Sequence, residues 1–311
     1  MKELNIVVVC GGISSEREVS LRSGKAVFEA LAEAGYSNVS LFDLTSDNFG
    51  ELCAKKPDLC FLALHGKGGE DGSIQGALEL AGIRYTGSGI ASSAIAMDKI
   101  LTKKMLEYAG IPTAKFIEIK KQSIESFDAL IDLLIEKIGL PMVLKAPTQG
   151  SSIGVVIVNK REQMKEAVDE VFKYGDYLLA EEFLDGVEVT LPILGNENPQ
   201  PLPIIEITSE NEFYDYESKY TPGMCHHILP ARISERDADE VSRLGIQAYE
   251  AIGCRGLSRI DFIIDKKKGP MVIEINTLPG MTAMSLFPDS AKEAGISFPE
   301  LASKIVDLAL E

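Results

Sequence analysis

The chain has 311 residues, more than the roughly 100 to 200 of a single domain, so two or three compact units with a sizeable core are expected. With 31 Lys+Arg against 47 Asp+Glu the formal charge is −16, and 45% of the residues are hydrophobic, an ordinary globular composition. Such acidity argues against a protein that works mainly by neutralising nucleic-acid phosphates or by lying on an anionic membrane, so phosphate chemistry would need local cations.

Leu4 to Cys10 is a near-continuous apolar run ending in Gly11-Gly12, the pattern of a buried parallel strand entering a loop. Val27, Leu31 and Ala34 then recur at helical spacing until Gly35, and Leu59 to Leu64 reads as a second buried strand, which is βαβ logic for an open parallel sheet. Leu101, Met105 and Tyr108 lie on one predicted helical face, stopped by Gly110 and Pro112, and a unit boundary is expected just upstream, near Met97. A long amphipathic helix follows, with Ile124, Phe127, Ile131, Leu134 and Ile138 on one face. Strands are expected at Met142 to Lys145 and from Val155, joined by the small-residue turn Ala146 to Gly154, and a further helix near Asp237 to Ile252. No apolar run approaches the roughly 20 residues that span a bilayer, and Ile6-Val7-Val8-Val9 is too short for a signal sequence, so a cytoplasmic chain is expected. Cys10, Cys53, Cys60, Cys225 and Cys254 form no C-x-x-C pair and read as buried or incidental thiols.

Neither G-x-x-x-x-G-K-[ST] nor G-x-G-x-x-G occurs, which lowers the P-loop and Rossmann dinucleotide readings. Gly150-Ser151-Ser152-Ile153-Gly154 does match the G-x-S-x-G nucleophile elbow, which would make Ser152 the nucleophile of a serine hydrolase. An elbow needs strand, turn and helix in that order, whereas Val155-Val156-Ile157-Val158 is β-branched and reads as a strand.

Arg259 and Asp261 stand two residues apart in one predicted strand, Glu274 and Asn276 two apart in the next, and Asp265 to Pro270 makes a short turn between them. Paired as a hairpin, the strands bring three oxygen ligands together, a set suited to Mg²⁺ or Mn²⁺; the alternative is the solvated face of an ordinary antiparallel hairpin. A divalent ion with few protein carboxylates completes its shell with substrate phosphates, which directs attention to Lys99 and to Lys145, the latter beside the turn whose Gly150 to Ser152 amides could cap a phosphate. His65 opens the glycine-rich stretch to Gly72 at the carboxyl end of a sheet, where open α/β folds bind ligands.

Gly11 to Ser20, His65 to Gly76, Met97-Asp98-Lys99, Tyr214 to Tyr220, Gly256 to Asp261 and Glu274 to Thr282 occur in order over essentially the whole chain, and together they resemble the D-alanine:D-alanine ligase family. The resemblance implies an α/β ATP-grasp fold: an N-terminal open parallel sheet unit at 1–96, a central unit at 97–182 with a phosphate-covering loop, and a C-terminal unit at 183–311 with a mobile loop at 214–230. It further implies that Lys99, Lys145 and Ser152 meet ATP phosphates, Glu181 and Leu184 the adenine and Glu188 the ribose, while Asp261, Glu274 and Asn276 bind two Mg²⁺ or Mn²⁺ ions. Arg259 and the Gly280 amide would hold the tetrahedral oxyanion, Glu16 the first D-alanine's ammonium with His65 nearby, Ser285 and Leu286 the second substrate's carboxylate, and Lys219 would also contact substrate. Glu16, Ser151 and Tyr220 would form a hydrogen-bonded set closing the loop over the intermediate, and Tyr220 favours D-alanine over D-lactate as second substrate.

Two departures from the family pattern are Lys145-Ala146-Pro147, where Lys-Pro is usual, and Val272 in place of Leu or Ile. His226 and His227 also stand in the mobile loop, where they read first as solvated loop histidines, with an influence on second-substrate choice as the alternative. The implied protein is a cytoplasmic homodimer of peptidoglycan precursor synthesis, using ATP and D-alanine with no nucleic-acid or membrane partner. The remaining alternatives are a ligase taking D-lactate or D-serine, the Ser152 hydrolase and a non-catalytic nucleotide sensor.

Overall fold

The computed structural model describes residues 2–209, 225–282 and 285–311. In chain order its helices are α1 (Arg17–Glu33), α2 (Phe49–Ala54), α3 (Ser73–Leu80), α4 (Ile90–Met97), α5 (Lys99–Tyr108), α6 (Phe127–Lys137), α7 (Met164–Val171), α8 (Glu235–Ala251), α9 (Leu286–Glu293) and α10 (Phe298–Leu310). The strands are β1 (Ile6–Gly11), β2 (Val39–Leu44), β3 (Leu59–Leu62), β4 (Phe116–Lys120), β5 (Met142–Lys145), β6 (Val155–Val158), β7 (Tyr177–Glu182), β8 (Gly186–Leu194), β9 (Gln200–Pro201), β10 (Ile205–Ser209), β11 (Cys225–Ile228), β12 (Leu257–Asp265) and β13 (Gly269–Asn276).

Among the described residues these strands form three sheets. The first, in the order β2-β1-β3, is parallel, and every residue of β1 is buried, which is why that strand reads as an unbroken apolar run rather than an alternating one. The second is four-stranded, β4-β7-β5-β6, and antiparallel, with α6 and α7 packed on it through Leu130, Leu134, Met164 and Val168. The third runs β11-β10-β8-β12-β13 with β9 paired to β8, and α8 lays Val241, Leu244 and Ala248 on its apolar face.

Two features depart from the sequence pattern. In α5 the buried residues are Ile100, Thr102, Lys103 and Leu106, whereas Leu101 is exposed and Tyr108 is 90% exposed. The face expected from Leu101, Met105 and Tyr108 therefore points largely to solvent. The buried face carries Lys103, which meets the buried Glu181 carboxylate and so becomes compatible with the core. The second feature is long-range: α9 and α10 pack Phe287, Ala291, Leu301 and Ile305 against Ile6 and Val8 of the first sheet and Leu31 of α1, joining the end of the chain to its beginning.

Candidate active site

The antiparallel register of β12 and β13 sets Arg259 opposite Asn276 and Asp261 opposite Glu274, so the alternation expected from the sequence does bring all four to one face. A register shift follows Asp261, and the other neighbour, β8, places Thr190 beside Asp261 with Glu188 two residues away on the same face. Arg259 donates to both Asp261 oxygens at 2.9 and 2.7 Å, Thr190 donates at 2.5 Å and the Asn276 amide at 3.1 Å. Thr190 was not anticipated; its alternation with Glu188 along β8 is the signal that could have found it. Among the described residues no group of three or more His, Cys, Asp or Glu is gathered as for a metal. The Asp261, Glu274 and Asn276 set is instead two carboxylates and an amide, an all-oxygen donor set that fits a hard divalent cation completing its shell with water or phosphate.

The cations converge above this hairpin from two other elements. Asp98 caps α5 by accepting from the Ile100 and Leu101 amides, which fixes Lys99 in the first turn. The Lys99 ammonium donates to the Gln149 carbonyl at 2.8 Å and stands 3.4 Å from Glu274, while the Lys99 amide donates to Pro147. One side chain thus ties the β5–β6 turn to the hairpin. Lys145, the last residue of β5, pairs with Glu181 of β7. Burial pushes the Glu181 carboxyl up, but Lys145 and Lys103 beside it outweigh that and hold it below the ordinary range. Lys103, 2.8 Å from the other Glu181 oxygen, gave no sequence signal, because an isolated helical lysine ordinarily reads as solvated. Glu181 therefore uses its side chain on two lysines rather than presenting it openly. Leu184 packs with Ala114 and Met271 in the link from β7 to β8, and Glu188 follows on β8.

The β5–β6 turn reaches the N-terminal loops. Ser151 donates to Glu16 at 2.6 Å across 135 positions of sequence, and Ser151 and Ser152 both adopt left-handed backbone at φ 52° and 59°. The Glu16 carboxylate lies so near Gly66, itself at φ 67°, that a Cβ there would come within 3.0 Å of Oε2. Ser152 sits in a turn between antiparallel strands, not at a strand-to-helix elbow, so the hydrolase geometry is not formed. His65 is buried, its Nε2 is 3.0 Å from Ser23 Oγ, and that hydroxyl accepts from the Met281 amide at 3.4 Å, which joins the His65 loop to the Gly280 segment. At Gly280 a Cβ would lie 2.8 Å from Ser285 Oγ, which accepts from the Thr282 amide, and Leu286 is buried at the start of α9. Lys219, Tyr220 and most of the expected mobile loop lie outside the described residues; His227 at its far end contacts Asp289 at 3.1 Å.

Comparison with known proteins bears on the whole chain. A family model described as D-ala D-ala ligase C-terminus matches residues 105–307, and one described as D-ala D-ala ligase N-terminus matches 46–88. The D-alanine--D-alanine ligase of Desulforamulus reducens is 51% identical over 310 residues, covering 99% of both chains, and that of Pelotomaculum thermopropionicum is 49% identical, covering 99% of this chain and 97% of its own. Among solved structures, the Bacillus anthracis D-alanine--D-alanine ligase complexed with ATP superposes with a TM-score of 0.84 at 35% identity, covering 99% of this chain and 97% of the other. The VanG D-Ala:D-Ser ligase of Enterococcus faecalis gives 0.83 at 29% identity, covering 99% of each. The architecture is thus the ATP-grasp fold that the motifs implied. Agreement in sequence and in fold along the full length, with both family models matched, makes this chain a member of the D-alanine–D-alanine ligase family.

Proposed function

We infer that this enzyme joins two D-alanine molecules into D-alanyl-D-alanine, with ATP converted to ADP and phosphate. The supporting observation is the Lys99 ammonium, which contacts both the Gln149 carbonyl of the turn and Glu274 of the hairpin, so that cation, phosphate-covering turn and candidate metal ligands meet at one point. The carboxylate of the first D-alanine attacks the γ-phosphorus and ADP departs; the neutral amine of the second attacks the acyl carbon of the resulting D-alanyl phosphate and phosphate departs. Lys99 and Lys145 bind the ATP phosphates beneath the Ser151-Ser152 turn, Leu184 borders the adenine with Glu181 behind it, and Glu188 takes the ribose. Glu16, oriented by Ser151, holds the first ammonium with His65 beside it, and Arg259 with the Gly280 amide stabilises the tetrahedral oxyanion. Ser285, Leu286 and Lys219 serve the second substrate, and Tyr220 completes the closing set with Glu16 and Ser151 to exclude water from the acyl phosphate. Asp261, Glu274 and Asn276 would hold two Mg²⁺ or Mn²⁺ ions, which when bound neutralise charge on the transferring phosphoryl group.

On this reading the chain divides into units at 1–96, 97–182 and 183–311, with α9 and α10 of the last clasping the first sheet. Among the described residues no helix is long and apolar enough to cross a membrane. A cytoplasmic homodimer supplying a dipeptide for peptidoglycan precursors completes the proposal. The test is ADP release with Mg²⁺ and D-alanine, run beside L-alanine and beside D-alanine with D-lactate or D-serine, the products identified by mass. D-alanyl-D-alanine as sole product is expected. ADP release indifferent to D-alanine refutes the ligase reading, and a mixed product reassigns the second substrate.

A further inference from the structure

Lys103 is fully buried beneath the nucleotide side of the site, and its position poses an electrostatic question that the reaction scheme leaves open. Lys145, taken above as a phosphate ligand, is in contact with Glu181, and a carboxylate there would cancel the charge on which phosphate binding depends. Lys103 stands on the opposite edge of the same carboxylate, 2.8 Å from Oε1. Its ammonium donates to Thr113 Oγ1 at 2.7 Å and to the Ala114 carbonyl at 3.2 Å, and the Thr113 hydroxyl spends its own hydrogen on the Val272 carbonyl. Burial pulls the Lys103 ammonium below the ordinary lysine range, but the Glu181 carboxylate opposes this and the two other oxygens around Nζ act as acceptors, an environment that favours the protonated amine. The Phe116 ring, with its centroid 5.4 Å away, adds to this. Two ammoniums and one carboxylate leave the buried set with one net positive charge. Without Lys103 that charge would be zero.

We propose that Lys103 is a charge-balancing and positioning residue for the nucleotide triphosphate: by neutralising and orienting Glu181 from behind, it leaves Lys145 its full positive charge toward the phosphates. The geometry supports a role through Glu181 rather than by contact, because Lys103 is fully buried, donates to Thr113 and Ala114 and spends its charge on the ion pair with Glu181 inside the protein. The proposal rests on the assignment of Lys145 to the phosphates, and the test separates the two.

The readout is equilibrium binding of ATP and of adenosine to the full-length chain without D-alanine, since adenosine shares the base and ribose but carries no phosphate. Lys103→Met is expected to weaken ATP on the order of tenfold or more, the effect of one charge in a partly desolvated site, while adenosine affinity stays within about twofold. The double variant Lys103→Met/Glu181→Gln regains the net charge of the wild type and is expected to restore the ATP-to-adenosine preference. Equal weakening of both ligands, unchanged ATP binding, or a double variant no better than Lys103→Met would overturn the proposal. Should Lys103→Met alone unfold because Glu181 loses a partner, Glu181→Gln against the double variant makes the same one-charge comparison, and the former must prefer ATP more strongly. Lys145→Met tests the underlying assignment: an unchanged ATP-to-adenosine preference in that variant refutes phosphate contact by Lys145 itself, whatever Lys103 does.

Discussion

The Ser151–Glu16 hydrogen bond directly links the β5–β6 turn to the loop proposed to hold the first substrate, and its removal has a calculable consequence. A hydrogen bond to a charged acceptor contributes about 1.5 to 3 kcal/mol, and at 2.6 Å in a half-buried setting this one belongs in that range. Since about 1.4 kcal/mol is a factor of ten, deleting the hydroxyl should lower kcat/KM for dipeptide formation by about 10- to 100-fold. Backbone conformation complicates the obvious variant, because Ser151 sits at φ 52°, where any residue with a Cβ carries about 1 kcal/mol of strain. Ser151→Gly removes the hydroxyl and that strain together, whereas Ser151→Ala removes the hydroxyl alone. Both should lose activity by similar factors, with Ser151→Gly the more stable to heat. A turn no longer tied to Glu16 should also admit water, so phosphate released per dipeptide formed should rise above one in both variants. Product mass and phosphate release measured in the same reaction give the ratio. Wild-type kcat/KM with a ratio of one in Ser151→Gly would refute the closing role of this contact.

Three further expectations follow from particular residues. Glu274→Gln removes a carboxylate from the candidate metal set and the partner of Lys99, so turnover should fall sharply and the Mg²⁺ concentration for half-activity should rise; an unaltered Mg²⁺ dependence would refute the metal assignment. Leu106→Ala, at a site with no exposure, should cost about 2 to 5 kcal/mol in urea unfolding, whereas Leu101→Ala on the exposed face should stay within about 0.5 kcal/mol, and equal costs would contradict the observed orientation of α5. Burial pushes the Cys10 thiol up to about 11 and those of Cys60 and Cys254 up to about 12. These three should resist alkylation at pH 8 until the chain is unfolded. Because the unfolded thiols ionise at about 8.5 to 9, they contribute stability in full below that pH and lose it as pH rises toward the folded values; stability constant from pH 9 to 12 would contradict their burial.

Local pattern determined much of this protein. The unbroken apolar run at β1, the β5–β6 hairpin around a small-residue turn, and the two-residue alternation of Arg259, Asp261, Glu274 and Asn276 were legible because strand burial and side-chain alternation are short-range properties of the chain. The ordered motifs likewise carried the family, and with it the ATP-grasp fold. Tertiary structure alone decided which face of α5 is inside, since an amphipathic pattern containing Lys103 is core-compatible only if a carboxylate from another element waits there, and Glu181 lies 78 positions further along the chain. It also decided that Thr190 joins Asp261 through the β8 register, that Ser151 reaches Glu16, and that α9 and α10 close over the first sheet. Each of these is a contact between elements far apart in sequence. Periodicity reports which residues share a face, but the partner that makes a buried charge affordable is set only by the packing of distant segments.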